Sequence, residues 1–298
     1  MARQQWRAFL LANTGGWIVT GGMDWRGRVG EVWAAEWRRT DRSLADLSRH
    51  LDAAIASVAP ERGHALDIGC GAGVTSLALR AARPGLRVTG VDLSAELVAV
   101  AQARVDRASG DGLRFQCGDA LAVAAAEGPF DLLCSRHGVM FFPDPVEALA
   151  SLRQAACDGA RLVFSCFAER AANSFATLAD AVTGIAPPQD EAYLPGPFAF
   201  ADMDQVGAWL MESGWRPDGA VRVPFDYVVG EGDDPVEDAL SFLSQIGPAA
   251  RALAQAAPEE QRRMEAALRE ALSQYRSHDR IALPATAWIW RAVAQGDG

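Results

Sequence analysis

The residues best able to do chemistry stand together in Leu66-Asp67-Ile68-Gly69-Cys70-Gly71-Ala72-Gly73-Val74. An apolar strand pattern runs into a glycine turn and then a helix. The backbone of Gly69, Cys70, Gly71 and Gly73 can therefore approach a ligand where side chains would block it. The dinucleotide fingerprint G-x-G-x-x-G needs glycine at position 74, which is Val74, while an acid, Asp67, stands two residues before the first glycine. That arrangement suits an ammonium-bearing amino acid moiety, met directly or through water, better than a pyrophosphate. The competing reading is that Asp67 caps the turn and the glycines serve packing.

Two more acids follow at strand ends. Val88-Thr89-Gly90-Val91-Asp92-Leu93-Ser94 closes a second strand on Asp92, suited to accept hydrogen bonds from both hydroxyls of a ribose, with Leu93 against adenine. Taken alone, Asp92 serves equally well as a helix cap. Phe115-Gln116-Cys117-Gly118-Asp119-Ala120 closes a third strand, with Asp119 suited to the adenine amino group and the Ala120 amide to a ring nitrogen. Asp67, Asp92 and Asp119 thus share the carboxyl edge of a sheet, where open α/β sheets bind ligands. After the fourth strand comes His137, the best placed general base if an acceptor must lose a proton, although a lone histidine is often structural. His64 begins the first strand, at the wrong edge, and His50 and His278 lack supporting neighbours.

These residues need elements to hold them. Val29, Val32, Trp33, Glu36 and Trp37 step at helical spacing, and a second helix follows through Leu44, Leu47, Leu51 and Ile55, with Thr40, Asp41 or Ser43 as its cap. From His64 short apolar runs alternate with helices, the pattern of an α/β parallel sheet. Strands are expected at 65–68, 87–91, 114–117, 130–135 and 161–167. Helices are expected at about 74–81, 94–108 and 145–156, the last capped by Asp144, started by Pro145 and ended by Asp158-Gly159. Pro187, Pro188, Pro195 and Pro197 mark a loop-rich stretch. Then come a helix near Met203 to Ser213, a strand near Ala220 to Val229, one long helical segment from about Pro235 to Tyr275, and an apolar run from Ile281 to Ala294.

Residues 1–22 show no sustained period and read as a poorly structured extension. Residues 23–298 read as one domain, with 168–202 and 230–280 as insertions on the substrate side. The second insertion is expected to form a helical lid whose Leu240, Phe242, Leu243 and Ile246 either bury against the core or meet an apolar substrate.

The chain of 298 residues is 50% hydrophobic and 22% charged, an ordinary globular balance. Its formal net charge of −10, with scattered arginines, makes nucleic acid a poor partner. The five cysteines show no metal spacing and read as reduced, buried and cytoplasmic. No run approaches the roughly 20 apolar residues of a membrane span, and no metal is expected.

The stretch from Asp67 to Gly73, with Asp92, Asp119 and Pro129-Phe130-Asp131-Leu132-Leu133, resembles the successive motifs of class I S-adenosylmethionine-dependent methyltransferases. Ser135-Arg136-His137-Gly138-Val139-Met140-Phe141-Phe142-Pro143-Asp144-Pro145 and Pro195-Gly196-Pro197-Phe198-Ala199-Phe200 look like bacterial small-molecule methyltransferases related to the ubiquinone and menaquinone C-methylases. The resemblance implies a Rossmann-like seven-stranded, mostly parallel sheet with helices on both faces and an antiparallel last strand. It implies S-adenosylmethionine as cofactor, its amino group received around Ser135, and helices before the first strand that bring Trp33 and Trp37 to the cofactor side, unless those rings are ordinary packing. The expected activity is O-, N- or C-methylation of a small molecule. The alternatives are a nicotinamide oxidoreductase and a cofactor-binding protein without catalysis.

Overall fold

The structure, a computed structural model, describes residues 25–105, 112–184 and 193–296. The expected extension at 1–22 and the Pro187-Pro188 loop lie outside them.

Among the described residues three helices come first: α1 (Arg28–Ala35), α2 (Trp37–Ser43) and α3 (Ala45–Val58). Thr40, Asp41 and Ser43 lie within α2 rather than capping α3, whose N-cap is Leu44 without a side-chain bond. The α/β units follow as β1 (Gly63–Ile68), α4 (Val74–Ala82), β2 (Leu86–Asp92), α5 (Ala95–Arg104), β3 (Leu113–Cys117), α6 (Ala120–Glu127), β4 (Phe130–Arg136), α7 (Pro145–Gln154) and β5 (Ala156–Phe167). Asp144 caps α7 as expected, accepting from Glu147 N–H at 3.0 Å, with Pro145 in the first turn. Asp158-Gly159 does not end that helix. It falls inside β5, where the register against β4 shifts, and Gly159 takes φ 76 in the irregularity. The chain continues through α8 (Ser174–Thr183), α9 (Met203–Glu212), β6 (Trp215–Glu231), α10 (Pro235–Leu243), α11 (Pro248–Gln255), α12 (Pro258–Ser273), β7 (Arg276–Ser277) and β8 (Arg280–Ala294).

The sheet order is β3-β2-β1-β4-β5-β8-β6, with the two-residue β7 paired to β8. The expected seven-stranded sheet is present with this short eighth strand added. Strands β1 to β5 pair in parallel, while β8 is antiparallel to both β5 and β6. The order reverses between β1 and its neighbours β2 and β4, which makes the carboxyl end of β1 the switch point where α/β sheets open a crevice. Two antiparallel pairings make β6 run parallel to β5, so its end at Glu231 lies at that same edge. The segment from α10 to α12 therefore starts at the same carboxyl edge of the sheet as the switch point.

That segment is three helices rather than one long one. Pro248 and Pro258 each start a new helix, because a proline cannot donate to the preceding turn, and Gly247 takes φ 104 at the first break. Leu240, Phe242, Leu243 and Ile246 are all buried in the main core. Among the described residues no helix is long and apolar enough to cross a membrane. All five cysteines are unpaired; Cys70, Cys134 and Cys166 are buried, but Cys117 is exposed.

Candidate active site

At the end of β1 the chain turns through Gly69, Gly71 and Gly73, all left-handed, at φ 65, 53 and 84. Each does a different job. A Cβ on Gly71 would meet nothing within 4 Å, because the residue faces an open cavity. Gly69 lines that cavity while passing Gly138, whose Cα would stand 3.1 Å from its Cβ. Gly73, expected to bind cofactor, is absent from the wall. A Cβ there would stand 2.6 Å from the Phe115 ring, so its role is close packing of α4 on the sheet.

Two acids frame the turn. Asp92 Oδ2 accepts from Gly71 N–H at 2.8 Å and Oδ1 from Ser94 N–H at 2.9 Å. Burial raises its pKa, against those backbone N–H donors. Asp67 is fully buried. Ser76 Oγ donates to its Oδ2 at 2.6 Å, while Oδ1 has no partner. Burial pushes its carboxyl up to about 6, only partly offset by Ser76 and Arg136. Cys70 and Leu93 also line the cavity, the Cys70 thiol pushed up by burial. Asp119 caps α6 through Oδ1, 2.8 Å from Leu121 N–H, and with Ala120 it lines the same cavity.

Ser135 does not reach the cavity. Its hydroxyl donates to Ile68 O at 2.7 Å and accepts from Gly138 N–H at 3.1 Å, so it locks the turn after β4 onto the end of β1. The wall there is made by Arg136, His137 and Gly138. His137 is 7% exposed, with Nδ1 2.8 Å from Ser165 Oγ and Nε2 without a partner. Burial, with the neighbouring Arg136 charge, lowers its pKa to about 3. Such a ring is neutral at ordinary pH and takes up protons poorly. His64 lies in β1 with its ring on Thr89, and His50 on exposed helix surface.

Trp33 and Trp37 both line the cavity, as does Trp25, which meets Trp33 and Phe141 edge-on. What the sequence reading missed is the charge between them and the sheet. Asp41 on α2 pairs with Arg104 at 2.8 Å and Arg136 at 2.9 Å, and Arg104 also donates to Ala72 O and lies over the Trp37 ring. One carboxylate thus ties the N-terminal helices to α5, the glycine turn and β4. On the other side Asp238 of α10 pairs with Arg39 and Arg42, which roofs α2 with the lid. The lid reaches the cavity through Ile246, Gly247 and Pro248.

The cavity holds about 330 Å³, enough for a small molecule. An orphaned buried carboxylate oxygen beside an open glycine cradle, with two further strand-end acids on the same wall, fits an ammonium-bearing nucleoside such as S-adenosylmethionine. Val74 follows the turn where a dinucleotide site would have glycine, and Asp67 would repel a pyrophosphate.

Comparison with known proteins agrees. Residues 66–164 match the family described as a methyltransferase domain. The chain is 34% identical over 127 residues to demethylmenaquinone methyltransferase of Thermus thermophilus, covering 43% of this chain and 52% of that protein. It is 32% identical over 102 residues to ubiquinone biosynthesis O-methyltransferase of Coxiella burnetii, covering 34% and 42%. The chain thus spans about half the length of these relatives, or less. The YcgJ protein of Bacillus subtilis superposes over 83% of this chain and 99% of its own at a TM-score of 0.54 and 16% identity, which shows the shared fold. Built around a glycine turn and strand-end acids on a Rossmann-like sheet, residues 66–164 are similar to a methyltransferase domain, and their motifs resemble those of the class I type.

Proposed function

We propose that this chain transfers a methyl group from S-adenosylmethionine to a small-molecule acceptor. The observation that carries the reading is the partnerless Asp67 Oδ1 beside the open Gly71 turn, in a cavity also lined by His137, Phe167, Phe175 and Tyr227. When bound, the cofactor supplies a methyl group on a positively charged sulfur, already activated for in-line displacement. The chain has to align donor and acceptor and keep water out, which is worth about 7 to 11 kcal/mol where alignment is good.

Asp67 receives the ammonium group, directly or through water, and Asp92 the ribose hydroxyls. Leu93 packs on adenine, while the free oxygen of Asp119 and the Ala120 amide read its edge. Trp33 and Trp37 cover the site from the N-terminal side. His137 stays neutral and serves as a hydrogen-bonding group rather than a proton acceptor, because moving a phenol proton onto so weak a base would be steeply uphill. The net charge of −10 disfavours nucleic acid as acceptor.

The test is incubation with methyl-labelled S-adenosylmethionine and a panel of phenols, quinols and amines, followed by mass spectrometry. Label in a methylated product is expected. Binding of a nicotinamide dinucleotide in preference to S-adenosylmethionine would overturn the reading.

A further inference from the structure

Helix α2 is short, and little of it is buried. Of its seven residues only Thr40 and Ser43 are buried. A helix of two turns is not stable in water by itself, so ties to its surroundings must set where it stands. Its place matters to the site: Trp37, Thr40, Asp41 and the following Leu44 recur at three and four residues along one face, and all four line the cavity.

The ties are ionic and come from two sides. Towards the sheet, Asp41 pairs with Arg104 and Arg136. Towards β6 and α10, Arg39 pairs with Asp238 Oδ1 at 2.9 Å and Arg42 with Oδ2 at 2.7 Å, and Arg42 also donates to Val229 O at 2.8 Å. A single turn of α2, from Arg39 to Arg42, thus carries both sets of ties.

Asp238 is the firm end of the second set. It stands in α10, where six of nine residues are buried, and its Oδ2 also accepts from Glu231 N–H at 3.0 Å. Its side chain is only 18% exposed and is shared by two arginines, so screening by water and salt weakens it less than a lone surface pair. Neither Asp238, Arg39 nor Arg42 lines the cavity. The preceding residue, Glu237, is also ion-paired, but to Arg269 of α12 and not to α2.

We propose that Asp238 is a positioning residue for the cofactor site: through Arg39 and Arg42 it holds the Trp37 face of α2 against the cavity, without itself touching the cofactor. This rests on the reading that the cavity holds S-adenosylmethionine. The effect is one of population, since apparent affinity falls with the fraction of molecules in which α2 is seated. Removing the Asp238 charge leaves α2 held by ion pairs on the sheet side alone.

The experiment uses the full chain with S-adenosylhomocysteine as probe. Calorimetry gives its affinity, amide hydrogen exchange of the cofactor-free protein reports how firmly α2 is held, and urea unfolding gives the stability of each variant. Asp238→Asn keeps the shape of the side chain and an oxygen for Glu231 N–H, but removes the charge. It should weaken S-adenosylhomocysteine at least about threefold and speed exchange of the α2 amides by at least about as much. Glu237→Gln breaks a pair in the same helix that leads elsewhere, and should leave both readouts within about 1.5-fold of the wild type. Asp238→Glu should recover part of the loss, and Arg39→Gln, which removes one of the two contacts, should give a smaller loss of the same sign.

A merely structural Asp238 would lower the urea midpoint while S-adenosylhomocysteine affinity stayed at the wild-type value, and that result would overturn the inference. So would unchanged exchange at α2 in Asp238→Asn. Should that variant not fold, Arg39→Gln is read against the same two outcomes. Wild-type protein that binds no S-adenosylhomocysteine would overturn the methyl-transfer reading and this inference with it, whereas normal wild-type binding with no difference among the variants overturns the inference alone.

Discussion

Asp92 holds the glycine turn through Gly71: its Oδ2 accepts the Gly71 backbone N–H at 2.8 Å, across the space between the ends of β2 and β1. One side chain thus shapes the cradle and, in the proposed complex, faces the nucleoside. Asp92→Ala should weaken S-adenosylmethionine binding by at least about tenfold and also lower stability by about 1 to 2 kcal/mol, since the Gly71 and Ser94 N–H groups lose their acceptor. Calorimetry and urea unfolding read the two effects separately. An affinity unchanged within twofold would remove Asp92 from the ribose.

Gly71 and Gly73 should separate binding from stability. Gly73→Ala drives a methyl into Phe115 at a left-handed position and should cost about 3 kcal/mol or more. Gly71→Ala pays only the backbone strain, about 1 to 2 kcal/mol, but places its methyl in the cavity and should abolish cofactor binding. Equal melting temperatures for the two variants would contradict this division.

Asp67 carries a pH signature. Its pKa is raised from 3.8 to about 6, so the folded protein holds this proton more tightly than the unfolded chain does. The stability cost is absent below pH 3.8, grows as pH rises, and is complete above about 6. Asp67→Asn should therefore stabilise the cofactor-free protein by about 1 to 3 kcal/mol at pH 8, with the gain vanishing near pH 4. The same variant should bind S-adenosylmethionine poorly. In the wild type, affinity should fall as pH drops below about 6, where Asp67 keeps its proton. A pH-independent difference in stability between the two proteins would sink the argument.

Asp41 is the counter-ion of two arginines, and the Arg136 side chain is only 11% exposed. Removing the shared carboxylate leaves two positive charges facing each other out of bulk water. Asp41→Ala should cost about 2 to 4 kcal/mol in urea unfolding, whereas Glu259→Ala, on an exposed helix start, should cost less than about 0.5 kcal/mol.

Much of the site could be read from the chain because it is local. The turn from Gly69 to Gly73 and the acids Asp67, Asp92 and Asp119 each sit where a strand pattern stops, so position alone puts them on one sheet edge. In sequence Gly73 reads as a cofactor residue because glycine serves close packing and ligand approach alike, and only the Phe115 contact tells them apart. Ser135 lies at the right strand end, but its hydroxyl is consumed by Ile68 and Gly138, which no spacing reveals. The link of Asp41 to Arg104 and Arg136 joins residues far apart in sequence and has no periodic signal. Helix α6 also escaped notice, because Ala-Leu-Ala-Val-Ala-Ala-Ala-Glu is apolar nearly all round and shows no face. Between β6 and β7, Pro248 and Pro258 each start a new helix, but helical spacing on both sides of them reads as one long segment.

The central claim is that the cavity at the ends of β1, β2 and β3 holds S-adenosylmethionine. Titration calorimetry of the full chain with S-adenosylmethionine, and separately with NAD, tests it most directly. The account predicts saturable one-to-one binding of S-adenosylmethionine, lost in Gly71→Ala and weakened at least about tenfold in Asp92→Ala, and no binding of NAD. Folded wild-type protein that binds NAD, or that binds S-adenosylmethionine with an affinity untouched by both substitutions, would contradict it.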